Sequence, residues 1–322
     1  MWRKCCGSTV LILAVFTDSS CRTANDNPPV RRELDPRAAD AECVSLLGRP
    51  LHARAGGSQN RKLEEALAAA RDALAEDPTD PKRIVWVGRR LGYLWRIHDA
   101  IDVFTQGMKA HPDYAPLYRH RGHRYISLRR FDEAIADLER AAALIEGKPD
   151  EIELDGMPNA RNIPLTTTAF NVWYHLGLAH YLQGNFVAAL SAYRKTMTFA
   201  KRYDDNIVAT TDWMYMTLRK LGRDTEAAAL LQTITPKMEI IENQAYHRRL
   251  LMYKGLVSPD TLLDLEHATD LDLATLGYGV GNWYLLNGQE NKAREIFERV
   301  TNGPYWPAFG FIAAEVDLAR LK

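Results

Sequence analysis

Apolar positions along this chain recur at intervals of three and four, in blocks separated by short polar turns. Ile84, Val87, Gly88 and Leu91 form one stripe; after the turn at 96–99, Ala100, Ile101, Val103, Phe104 and Gly107 form a second. The pair then repeats as Tyr118, Gly122 and Tyr125, the turn at 128–132, and Ala134, Ile135, Leu138 and Ala141. Gly88 to Gly122 and Ala100 to Ala134 are both 34 residues. Such spacing predicts antiparallel helix pairs, each helix with one apolar face. Pro112 and Pro116 fall in the connection, where a missing amide donor does no harm. One small pair cannot cover its own stripe, so neighbouring pairs must stack to complete a core.

Further copies are legible downstream. Trp173, Leu176, Gly177 and Tyr181 precede Gly184, Ala189 and Tyr193; Gly281, Tyr284 and Gly288 precede Ala293, Phe297 and Val300. Gly177 to Gly281 is close to three periods, which leaves room for two degenerate pairs, expected at 211–234 and 246–265. Residues 62–74 read as the second helix of an earlier unit, and 308–321 as a capping helix with Phe311, Ala314 and Leu318 inward. On these residues the chain resembles the tetratricopeptide repeat (TPR) superfamily from about residue 60 to 320. The resemblance implies an all-α, right-handed superhelical solenoid of about a dozen helices. It also implies a non-enzymatic interaction module that takes a peptide or protein segment in its concave groove.

Two features break the period. Gly122 to Gly177 is 55 residues, so about 147–164 is an insertion; its three prolines and two glycines exclude a regular helix. It is expected to fold over the groove edge near Tyr174. The N-terminus is the other exception. A basic start at 1–4, an apolar run at 7–16, then small polar residues and Cys21 read as a signal sequence, 1–21. Cys21 is then a lipidation candidate, as in an exported bacterial TPR lipoprotein, although Asp18 fits the usual apolar slot badly. Cleavage nearby without lipid, and an uncleaved cytoplasmic chain, remain the alternatives. On this reading 22–42 is a polar tether, 43–80 an N-terminal helical unit and 81–322 the solenoid. The protein is expected to be periplasmic or lipid-anchored, touching a membrane through Cys21 alone.

Overall charge adds little, since 41 basic residues balance 41 acidic ones. A net charge of zero argues against nucleic acid as a partner. Its distribution is uneven: residues 82–130 hold eleven Lys and Arg against three Asp, and 132–155 then run acidic. Solvated faces pairing between units explain this simply; a basic patch that attracts an acidic ligand is the sharper reading. No catalytic or nucleotide-binding motif occurs, no cofactor is implied, and without a CxxC pair there is no ribbon-type zinc site. His120 with His123, and more loosely His175 with His180, have the spacing of a ligand pair, but a metal would need further ligands from elsewhere and none is expected.

First helices of TPR units line the concave side. By phase with the family pattern, Arg89, Arg119, His123, Tyr174, Leu178, Tyr181, Tyr278 and Asn282 should face the groove. The five-residue carboxylate clamp of chaperone-binding TPR domains falls on Val85, Arg89, His120, Asn171 and His175, none of which keeps the clamp residue. An acidic ligand would therefore be held differently, by arginine forks beside aromatic faces. The rival reading is a small-ligand pocket or enzyme site around Arg89, Arg119, His123 and Tyr174.

Overall fold

A computed structural model describes residues 40–54 and 56–321. The expected signal sequence, Cys21 and nearly all of the expected tether lie outside them. Described first is a short antiparallel hairpin, β1 (Ala41–Val44) and β2 (Pro50–His52), where the sequence predicted the tether's end and then helix. Helix begins only with α1 (Ser58–Glu76).

Helix pairs then follow: α2 (Pro81–Tyr93) with α3 (Ile97–Ala110), α4 (Ala115–Ser127) with α5 (Phe131–Ile145), and α6 (Thr168–Gln183) with α7 (Phe186–Phe199). The two degenerate pairs are α8 (Asp204–Lys220) with α9 (Asp224–Leu230), and α10 (Gln244–Tyr253) with α11 (Pro259–Leu262). In the last pair a short α12 (Asp270–Asp272) runs through a π-helical turn, Leu273–Gly277, into α13 (Tyr278–Leu286), which packs on α14 (Glu290–Asn302). α15 (Phe309–Arg320) ends the described chain. The fold is the expected all-α, TPR-like solenoid.

The repeated glycine has one physical reason in every recognisable unit. A Cβ at Gly88 would lie 2.3 Å from the ring of Phe104, at Gly122 2.8 Å from Leu138, at Gly177 2.7 Å from Tyr193, and at Gly281 2.5 Å from Phe297. In each case a large residue of the second helix rests where the first helix has no side chain. Interiors this dense leave no slack for a methyl group.

The turns between paired helices carry a second pattern. Gly184, Gly222, Gly255 and Gly288 have positive φ, the region glycine enters without penalty. In the first two units that position is Trp95 (φ 59°) and Arg129 (φ 62°), which cannot do so freely. Both side chains reach the C-terminal segment. Trp95 meets Trp306 edge-on at 5.8 Å, and Arg129 Nε donates to Glu315 Oε2 at 2.7 Å in a pair almost wholly buried.

That contact belongs to a wider closure. α15 does more than cap the last unit; besides α13 it reaches the first helices of three others. Phe309 meets His123 of α4 and His175 of α6, while Arg320 donates to the Leu182 carbonyl of α6. Asp317 accepts from Lys220 of α8 and from Tyr278 of α13, both at 3.0 Å. The hairpin joins the same knot. Leu46 N donates to Glu315, the Trp306 indole donates to the His52 carbonyl, and Glu42 accepts from the amides of Ile97 and His98 at the start of α3. A carboxylate there satisfies free donors and complements the helix dipole.

A candidate polar cavity under the insertion

The sequence-predicted site residues divide into two groups. Tyr181, Tyr278 and Asn282 are 2%, 1% and 0% exposed, and Leu178 is fully buried. They face an interior and not an accessible groove. Tyr181 and Tyr278 hydroxyls lie 2.6 Å apart, and Trp213 of α8 packs against both rings. First helices from distant units thus meet ring to ring, which the family phase alone does not reveal. Tyr174 is also buried; its hydroxyl donates to Tyr246 at 3.2 Å and its ring stacks on Phe170.

Arg89, Arg119 and His123 do come together, at the other end of the inner face. With Tyr93, His120 and Arg124 they line a cavity of about 250 Å³ between α2 and α4. The 147–164 insertion supplies its cover. Gly156 passes so close to α2 that a Cβ there would lie 2.2 Å from the Tyr93 hydroxyl, and its carbonyl accepts from Arg90 at 2.7 Å. An isolated bridge between Ile152 and Thr167 and an exposed Arg161–Glu239 pair hold the two ends of the strap. The strap therefore lies over α2 and α4, more than over the expected Tyr174 edge.

Charge is concentrated inside this cavity. Arg119, 6% exposed, pairs with Glu153 at 3.0 Å and donates to His120 Nδ1 at 2.8 Å, yet its Nε and the Glu153 Oε2 have no partner. Burial, reinforced by neighbouring arginines, pushes the His120 and His123 imidazoles well below their ordinary pKa. His175 behaves alike, burial acting first and Arg119 next. All three rings are held toward the neutral form; His120 accepts from Arg119 through Nδ1, and His175 donates through Nδ1 to the Asn171 carbonyl at 2.6 Å. Arg124 was not among the predicted residues. Its guanidinium lies over Gly92, the absent side chain making the room, and burial lowers its pKa to about 10. Asp155 and Glu242 face the same space, each with its pKa raised first by burial. Among the described residues no cluster of three or more His, Cys, Asp or Glu side chains is arranged to hold a metal.

A second, larger cavity of about 710 Å³ opens on the outer side, between the ends of α5 and α7. Trp173 and Leu176 of α6 form its floor, with Ala142, Ile145 and Phe199 on the walls. Lys195 reaches over the Trp173 ring, while Asp113, Glu139, Glu146, Asp150 and Glu151 edge the cleft. The apolar pattern could have shown it only as a stripe without a neighbour.

A tetratricopeptide repeat family model matches residues 115–147, the α4–α5 pair. No significant match occurs among curated proteins. Solved structures similar to this chain include YrrB, described as a TPR protein with an unusual peptide-binding site (16% identity, 74% of this chain and 93% of that one, TM-score 0.41). Others are the type IV pilus biogenesis factor PilW (16%, 77% and 89%, TM-score 0.44) and a TPR protein from Parabacteroides merdae (14%, 81% and 94%, TM-score 0.48). At these identities the likeness is one of fold alone.

Proposed function

We propose that this protein is a non-enzymatic interaction scaffold whose protein partner docks in the outer cleft between α5 and α7. The observation that carries the reading is where apolar surface remains accessible. From α6 to α13 the inner face is filled by the chain's own rings and by α15, so a peptide cannot run along it. The outer cleft offers an apolar floor at Trp173 and Leu176, wide enough for a helix or extended segment. Five carboxylates against Lys148 and Lys195 at its edge select a partner with apolar residues flanked by Lys or Arg.

Selection from a displayed peptide library, using the full chain as bait, tests this. Enriched peptides should be apolar with basic flanks. Ala143→Arg, at an exposed wall position, should weaken them by roughly tenfold or more through steric block and like charge. Acidic peptides, or binding indifferent to that change, would contradict the docking site. Export remains part of the proposal, and mass spectrometry of the mature N-terminus tests it: a lipid on Cys21 supports it and an intact Met1 opposes it.

The polar cavity favours a second reading, small-ligand binding. A small polar space partly covered by the insertion, at about 250 Å³, suits a small ligand better than an extended peptide.

A further inference from the structure

The cavity between α2, α4 and the insertion holds charge that the protein leaves unpaired. Among the described residues Arg124 has neither a hydrogen bond nor a carboxylate partner, and Arg89 meets only the Tyr93 hydroxyl at 3.4 Å and the face of Trp86. Arg119, more than nine-tenths buried, has one guanidinium nitrogen free although Glu153 takes another. These cations sit on two helices fixed by core packing; Arg119 feels the charge of Arg89, and Arg124 that of both Arg119 and Arg89. Gathering like charges away from bulk water is costly unless an anion joins them.

The opposite wall has the opposite sign. Asp155 comes from the insertion and Glu242 from the segment before α10; neither makes an ion pair among the described residues. Asp155 feels the Arg89 charge, and Glu242 feels that of Asp155, so the acidic wall borders the basic one. A simple anion would satisfy the arginines and be repelled by Asp155 and Glu242. A simple cation would meet the converse. At about 250 Å³ the space falls below the usual range of drug-sized pockets and suits a molecule of a few heavy atoms.

We propose that this cavity binds a free α-amino acid, its carboxylate on Arg89 and Arg124 and its ammonium toward Asp155 and Glu242. Arg119 is held by Glu153 and sets the field without being the main fork. The strap carrying Asp155 would be drawn against α2 and α4 when the ligand neutralises both walls. This deepens the small-ligand reading and is independent of the outer cleft, so either can fail alone.

The test is isothermal titration of the full chain with each standard L-amino acid singly, and with acetate and ethylammonium as half-ligands. At least one amino acid should bind, and both half-ligands should bind far more weakly. Arg124→Gln should weaken that amino acid by roughly 30-fold or more, and Asp155→Asn by roughly tenfold, while acetate, relieved of a like charge, should bind no more weakly to the Asp155→Asn variant. Asp155 lies on the insertion, outside the helical core, so its variant keeps the test decisive even where Arg124→Gln fails to fold. Three results would each overturn the proposal: no amino acid binds, acetate binds as tightly as the best amino acid, or Asp155→Asn changes nothing.

Discussion

The two ends of the inner face are built from the same kind of helix and treated in opposite ways. Between α6 and α13 the first helices carry Tyr181, Trp213 and Tyr278, which stack on one another while α15 seals the remainder with Glu315 and Asp317. Between α2 and α4 they carry Arg89, Arg119 and Arg124, no helix of the described residues fills the space, and a strap covers a polar cavity. Large rings can fill a gap and repay it with buried area. Guanidinium groups cannot give up their hydration without partners, so a space lined by them stays a space. The family pattern makes both ends a groove; the side chains make one of them core.

The strongest way to break this contrast is to cut the closure at its buried charge. Glu315→Ala leaves Arg129 unpaired in the interior and frees the hairpin amide of Leu46, and should cost about 3–5 kcal/mol in urea unfolding. A loss below about 1 kcal/mol would mean that α15 contributes little to the fold.

Acid sharpens the comparison at the boundary between the two ends. His120 and His175 are buried and His123 half-buried, and desolvation depresses the folded pKa of each below the ordinary 6.5. Below pH 6.5 the unfolded chain therefore binds more protons than the folded one, and stability falls as pH falls. One unit below 6.5 the loss approaches roughly 1.4 kcal/mol for each histidine whose folded pKa lies lower still. Thermal melts at pH 7.5 and 5.5 should show the drop, and His123→Asn should reduce it. A flat profile would place these rings in water.

The smallest effect concerns the turns. Gly288→Ala, in open space at φ 75°, should cost about 1 kcal/mol through backbone strain alone. Arg129→Gly removes such strain and should nevertheless destabilise, because it discards the Glu315 pair. Should Arg129→Gly stabilise the protein, the non-glycine turn has no anchoring role.

What was legible in the sequence was local and periodic. Gly88 with Phe104, or Gly177 with Tyr193, records contact within one pair at fixed spacing, so pairs, turns and even the degenerate units could be located. The hairpin was missed because strands of four and three residues are too short for alternation to register. The filled inner face was missed for another reason. A tyrosine on a first helix reads alike whether it faces a groove or another tyrosine many units away. Two signals were nonetheless present. Trp95 and Arg129 stand where later units use glycine, and α15 sets Glu315 and Asp317 among Phe311, Ile312, Ala314 and Val316. Acids in so apolar a helix need buried cations, and Arg129 and Lys220 supply them. Arg124 needed the structure, since nothing in its spacing separates it from a solvated arginine.

The central claim, that the chain closes its own inner face with α15 and leaves only the α2–α4 end covered by a strap, is tested most directly by native-state hydrogen exchange. Amides of α15 should exchange as slowly as those of α6, close to the global unfolding limit, while those of the 147–164 strap exchange far faster. Rapid exchange along α15, at the rate of a frayed chain end, would contradict the account and return the inner face to an open groove.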